Sequence, residues 1–190
     1  MSKSKYLDTT GLNEIMQMSK VVKDIRNEMY KKYKIDLLDN DTISLSTFAS
    51  IIQKFDQSYN CNFARNGEDG QTMLDNRSVK IETKTVKMNV SKKGKYGKSA
   101  FAFHAKGILD NEAYTFNIWD KDTLQPIRCY YVVDAENVKI INRILKKLSE
   151  EWHEKPTTKA GYDVIHLKED VLISLAKSAT MIDNCKVYLL

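Results

Sequence analysis

Asp69, Glu82, Thr83 and Lys84 are the residues whose types and spacing could do chemistry together. From Val79 to Val90, Val, Ile, Thr and Met alternate with polar residues, the composition and period of a β-strand. Successive strand side chains point to opposite faces, so Glu82 and Lys84 share one face while Val79, Ile81, Thr83 and Thr85 share the other. Gln71 to Leu74 reads as the partner strand, and Asp75-Asn76-Arg77-Ser78 supplies turn chemistry between them. A hairpin of that kind returns Asp69 toward Glu82. Two carboxylates and a lysine then converge, offering hard oxygen ligands for Mg²⁺ and a cation beside an attacking water, the groups that phosphodiester hydrolysis needs. The Thr83 backbone carbonyl, between the two side chains, is a natural further ligand. Lys84 would orient the water, or serve as its base if burial and the metal's charge lower its pKa. Glu68 is a rival or helper to Asp69 as the first ligand, whereas Asp75 is better explained by the turn.

The surroundings are basic. The net charge of +5 is modest and does not by itself imply nucleic acid, but seven lysines fall between Lys80 and Lys98. Ser91 to Ser99 is a basic, glycine-containing loop directly after the candidate strand. In it, Lys92, Lys93, Lys95 and Lys98 would neutralise phosphates with salt-sensitive affinity, and Tyr96 would stack or pack against sugar. The alternative is a solvated hairpin loop. On the other side of the acidic pair, Asn66-Gly67 marks a tight turn. There Arg65 suits phosphate or guanine and Asn66 suits adenine, with a purely structural role in the turn as the alternative.

Asp69, twelve residues, then Glu82-Thr83-Lys84 resembles the PD-(D/E)xK nuclease superfamily, and the single-domain length is most similar to a type II restriction endonuclease. The residue before Asp69 is Glu68 rather than the proline that names the motif. Among the 25 acidic residues, Glu82 alone is followed two positions later by lysine. The resemblance implies an α/β (α+β) fold with a mixed central sheet flanked by helices. It also implies Mg²⁺-dependent, sequence-specific cleavage of double-stranded DNA, with Mn²⁺ as a substitute metal, and a homodimer. It matches Asp69 to the metal-bridging aspartate, Glu82 to the second metal ligand and Lys84 to the catalytic lysine. Two alternatives stand beside it: a repair or recombination nuclease or junction resolvase of the same superfamily, and a non-catalytic nucleic-acid-binding protein whose charged hairpin is only a basic surface.

The elements that must position these residues follow from length and periodicity. The 190 residues can bury a real core and point to one domain, with a helical part over 1–60, a catalytic sheet over 61–133 and a helix with packing elements over 134–190. Ile15, Met18, Val22, Ile25 and Met29 recur every three or four residues as an apolar stripe, read as core, with a dimer seam as the alternative. Leu45, Phe48, Ile52, Phe55 and Tyr59 define the buried face of a second helix. Ala100 to His104, Tyr114 to Trp119 and Ile127 to Val133 read as strands extending the hairpin's sheet, and Asp134 as the cap of a helix carrying Val138, Ile141 and Leu145. Tyr162 to Leu167 is strand-like, Lys168 to Ala176 a final helix and Val187 to Leu190 a terminal strand. Three widely separated cysteines suit reduced thiols better than disulfides or zinc. No run approaches the ~18 apolar residues of a membrane span, and the polar N-terminus lacks a signal-peptide core. The expectation is a soluble, cytoplasmic protein with no membrane partner.

Overall fold

The computed structural model describes residues 9–34, 40–62, 69–89, 97–107, 109–121, 123, 125–154 and 163–190. By its contacts the chain divides into two compact units, Met1–Ile43 and Ser44–Leu190. The first contains helix α1 (Thr9–Tyr33). Its apolar stripe does not form a core as the spacing predicts: Ile15 is 49%, Met18 69%, Val22 46% and Ile25 50% exposed. Periodicity identifies the apolar face of a helix but not a partner to cover it.

The second unit is a mixed α+β structure. Helix α2 (Asn40–Ile52) reaches into it and buries Phe48, Ala49, Ile51 and Ile52. The strands are β1 (Asn60–Cys61), β2 (Gly70–Leu74), β3 (Arg77–Met88), β4 (Ala100–His104), β5 (Ala113–Asp120), β6 (Pro126–Val132), β7 (Val164–Lys168), β8 (Thr180–Ile182) and β9 (Cys185–Leu189). Seven of them form one mixed sheet in the order β1-β2-β3-β5-β6-β9-β8. β3 pairs with β5, and β6 with β9, in parallel, and the remaining pairs are antiparallel. Helix α3 (Ala135–Glu154) follows β6 and the short helix α4 (Glu169–Leu175) follows β7. As expected, Asp134 caps α3, accepting the Asn137 N–H at 3.0 Å.

β4 departs from expectation. It does not extend the hairpin's sheet but pairs antiparallel with β7 in a separate two-stranded sheet. The reason lies in its side chains. Phe101 and Phe103 are buried in the cluster formed by Tyr114, Phe116 and Ile118 of β5 with Ile141 and Leu145 of α3, so β4 lies over the main sheet as a second layer. Tyr114, Phe116 and Ile118 are the register partners of Glu82, Lys84 and Val86, so this core stands on the same face as Glu82 and Lys84.

On the opposite face, Phe55 and Tyr59 pack edge-on against Tyr131, with ring centres 5.6 and 6.0 Å away. Asp56 holds that corner, accepting hydrogen bonds from Ser58, from Thr72 Oγ1 at 2.6 Å and from the Tyr131 hydroxyl. Burial raises the Asp56 carboxyl, but the bonds from Ser58, Thr72 and Tyr131 together hold it below the ordinary value of 3.8. A depressed carboxyl contributes stability that is fully present above its unfolded value and is lost as pH falls through the folded one. Asp56→Asn replaces one accepting oxygen with an NH2 donor, so the side chain can no longer accept from both Ser58 and the Thr72 and Tyr131 hydroxyls. It should therefore cost about 1–3 kcal/mol at pH 7 by urea denaturation, with the gap to the parent protein closing below about pH 4.

The three cysteines are free thiols, as expected, with Cys129 and Cys185 buried. Among the described residues no helix is long and apolar enough to cross a membrane.

Candidate active site

The hairpin forms, and its turn is tighter than the sequence suggests. Asp75 and Asn76 alone make it, both with positive φ (49° and 62°). Arg77 and Ser78 are already strand, paired with Leu74 and Met73. Two positive-φ residues define the turn whose twist matches that of paired strands, and asparagine and aspartate tolerate that conformation best among non-glycines. The register then follows. The paired register ends with Gly70 opposite Ile81, which leaves Asp69 as the residue just beyond the end of β2, beside the Glu82–Thr83 step of β3. Gly70 also has a steric reason to be glycine, since an added Cβ would lie 2.9 Å from the Asn60 carbonyl oxygen of β1. The β1 backbone can therefore close against the chain beside Asp69, where the Asn62 N–H donates to the Asp69 carbonyl at 2.7 Å.

Two pairs form at this end of the hairpin. Asp69 Oδ2 accepts the Thr83 N–H at 2.8 Å. Lys84 Nζ donates to Glu82 Oε1, and both side chains are 26% exposed. Lys84 Nζ also lies 5.1 Å from the centre of the Phe103 ring, which puts an apolar, π-bearing wall from β4 on its other side. Thr83 is fixed a second time by the Thr115 hydroxyl, which donates to Thr83 Oγ1 at 2.8 Å. A strand residue directs its N–H and C=O to the same edge. The Thr83 carbonyl therefore points the way its N–H does, past the end of β2 toward Asp69.

These groups suit a hard divalent cation. Two carboxylates and a backbone carbonyl are the oxygen donors Mg²⁺ prefers, and such an ion keeps several waters rather than filling its shell with protein. Among the described residues no three Asp, Glu, His or Cys side chains converge to form a metal cage, and an ion here would rest on two carboxylates, Asp69 and Glu82, with the Thr83 carbonyl. Next along the sheet, the Tyr114 hydroxyl is pushed up to about 12, by burial first and with smaller contributions from the Glu82 and Asp110 charges. It donates to buried Asn142 of α3 and so remains a neutral hydrogen-bond donor behind Glu82.

Several sequence-predicted residues stand elsewhere. Arg65, Asn66, Glu68, Lys92, Lys93, Lys95 and Tyr96 lie outside the described residues. Lys98 is paired with Asp170 on the surface. His104, exposed on β4, is 3.3 Å from Asp163. Sequence reasoning missed Phe103. Its signal was the Phe101/Phe103 alternation, which identifies a buried face without saying that the face ends against a lysine.

No known protein family's model matches the chain, and no curated protein matches it significantly.

Proposed function

We propose that the protein is a Mg²⁺-dependent endonuclease that hydrolyses phosphodiester bonds in double-stranded DNA, sequence-specific in the manner of type II restriction enzymes and built on a restriction-endonuclease-like core. The observation that carries this reading is the hairpin end. There Asp69, just past the end of β2, accepts the Thr83 N–H, the Thr83 carbonyl points to the same edge as that N–H, and Lys84 donates to the adjacent Glu82. A bound Mg²⁺ would supply Lewis acidity at the phosphoryl oxygen and a more acidic water.

The chain's own residues do the rest. Asp69, Glu82 and the Thr83 carbonyl would hold the ion, and the hydrogen bond from Thr83 N–H to Asp69 Oδ2 fixes that carboxylate beside Thr83. Lys84, anchored by Glu82 on one side and Phe103 on the other, directs a hydrogen bond at the attacking water. The buried aromatic cluster behind Phe103 limits solvent on that flank.

The test is incubation of long unmethylated DNA with the purified protein, with and without Mg²⁺, beside Glu82→Ala. Discrete fragments that require metal and vanish in the variant are the expected result. Cutting confined to ends or branched DNA would move the assignment to a repair nuclease or resolvase. Binding without cutting of duplex, branched or single-stranded DNA would defeat the catalytic reading.

A further inference from the structure

On the same face of the sheet as Lys84, but at its far side, a cavity of about 470 Å³ opens between β6, β9 and α4. The register carries one row of side chains across the sheet: Lys84 beside Phe116, Phe116 beside Tyr130, Tyr130 beside Tyr188. The row ends in a ring. Tyr188 stacks on Tyr130 with centres 4.6 Å apart and planes 8° from parallel. Its other face is turned to the ammonium of Lys186, 5.3 Å from the ring centre. Ile127, Ile173 and Met181 add apolar wall.

The charges at this cavity are unevenly committed. Glu169 is fully buried and accepts Arg128 Nε at 2.7 Å, Arg128 Nη2 at 3.1 Å and the Tyr130 hydroxyl at 2.6 Å. Arg128 is thereby held rigid, and among the described residues Nη1 has no partner. Lys98 is paired with Asp170, whereas Lys186 has no carboxylate partner among the described residues. The cavity thus offers a backed aromatic face, an apolar wall, a free ammonium and an anchored guanidinium edge. An aromatic platform beside cations is the means by which proteins hold a nucleobase together with its phosphate, and the volume lies within the range of small-ligand sites.

We propose that this cavity is a nucleotide site, in which a planar base stacks on Tyr188 in the place now facing Lys186 while its phosphate is held by Lys186 and Arg128 Nη1. It is separate from the hairpin and does not depend on the catalytic reading. The test is calorimetric titration, without divalent metal, of the wild type, Tyr188→Leu and Lys186→Gln with deoxyadenosine monophosphate, deoxyadenosine, inorganic phosphate and a short single-stranded oligonucleotide. Saturable binding of the mononucleotide, weakened about tenfold by Tyr188→Leu through loss of stacking and also weakened by Lys186→Gln, is the expected result. Binding of the oligonucleotide alone, with the same sensitivity, would assign the site to a nucleotide within a strand. Phosphate binding as tightly as the mononucleotide, or affinities unmoved by both substitutions, would overturn the proposal, as would no binding at all. Lys186 is exposed, so its variant will fold even if Tyr188→Leu does not.

Discussion

Lys84→Met is expected to slow metal-dependent DNA cleavage about 10²–10⁴-fold at saturating DNA, the range for removing a group that handles the proton of the attacking water. That corresponds to about 3–5.5 kcal/mol of transition-state stabilisation. Methionine keeps the apolar stem against Phe103 but loses the donor. Its effect on folding should be small: the Glu82–Lys84 pair is partly exposed, at 26% for each side chain, and such pairs contribute about 0–1 kcal/mol. On the proposed function, DNA affinity measured without metal should change little, because Lys84 would be one cation among several meeting the phosphates. Lys84→Arg should be nearly as inactive, since a planar fork cannot reproduce a point donor in that space. Single-turnover rates beside urea midpoints make the comparison. A Lys84→Met rate within threefold of wild type would remove the lysine from the mechanism.

Glu169→Ala is expected to produce the largest loss of stability in the molecule. The side chain is fully buried, and it satisfies Arg128, Tyr130 and the Ser99 N–H, the last at 2.7 Å. Its removal leaves a guanidinium that is only 16% exposed without its counter-charge. Breaking a buried pair from one side costs about 3–5 kcal/mol, which for a chain of this size lowers Tm by about 6–20 °C. The double substitution Glu169→Leu with Arg128→Met should recover most of that loss, because the penalty lies in the orphaned charge more than in the missing attraction. A Tm for Glu169→Ala within 2 °C of wild type would show that solvent reaches Arg128.

The hairpin that carries the candidate residues was legible in the sequence because it rests on local rules. Period two over Val79 to Val90 put Glu82 and Lys84 on one face, and Asp75-Asn76-Arg77-Ser78 marked the turn, which the structure narrows to Asp75-Asn76. Long-range arrangement was not legible. Nothing in Ala100 to His104 distinguishes a strand that joins the main sheet from one that covers it, and pairing with β7 depends on a segment some sixty residues away. β8 was missed, although the β8–β9 hairpin turns on Asp183-Asn184, again at positive φ (47° and 64°). The two hairpins turn on the same Asp-Asn dipeptide, so the turn chemistry read at the first was equally present at the second. The buried role of Glu169 left no sequence signal beyond an acidic residue at the start of a helix.

The two-residue turn at Asp75-Asn76 makes the hairpin a measuring device with a coarse scale. Side chains alternate faces at every step, so one residue inserted between Asp69 and Leu74 would turn the Asp69 side chain to the other face. Two inserted residues would restore the face but shift Asp69 about 7 Å along β3, past Thr83. Along β2, Gly70 and the buried Thr72 are held by their own contacts, and the length of the strand is held by the register as a whole. A change of length, which most loops absorb, is tolerated here only where a bulge takes up the extra residue before it reaches Asp69.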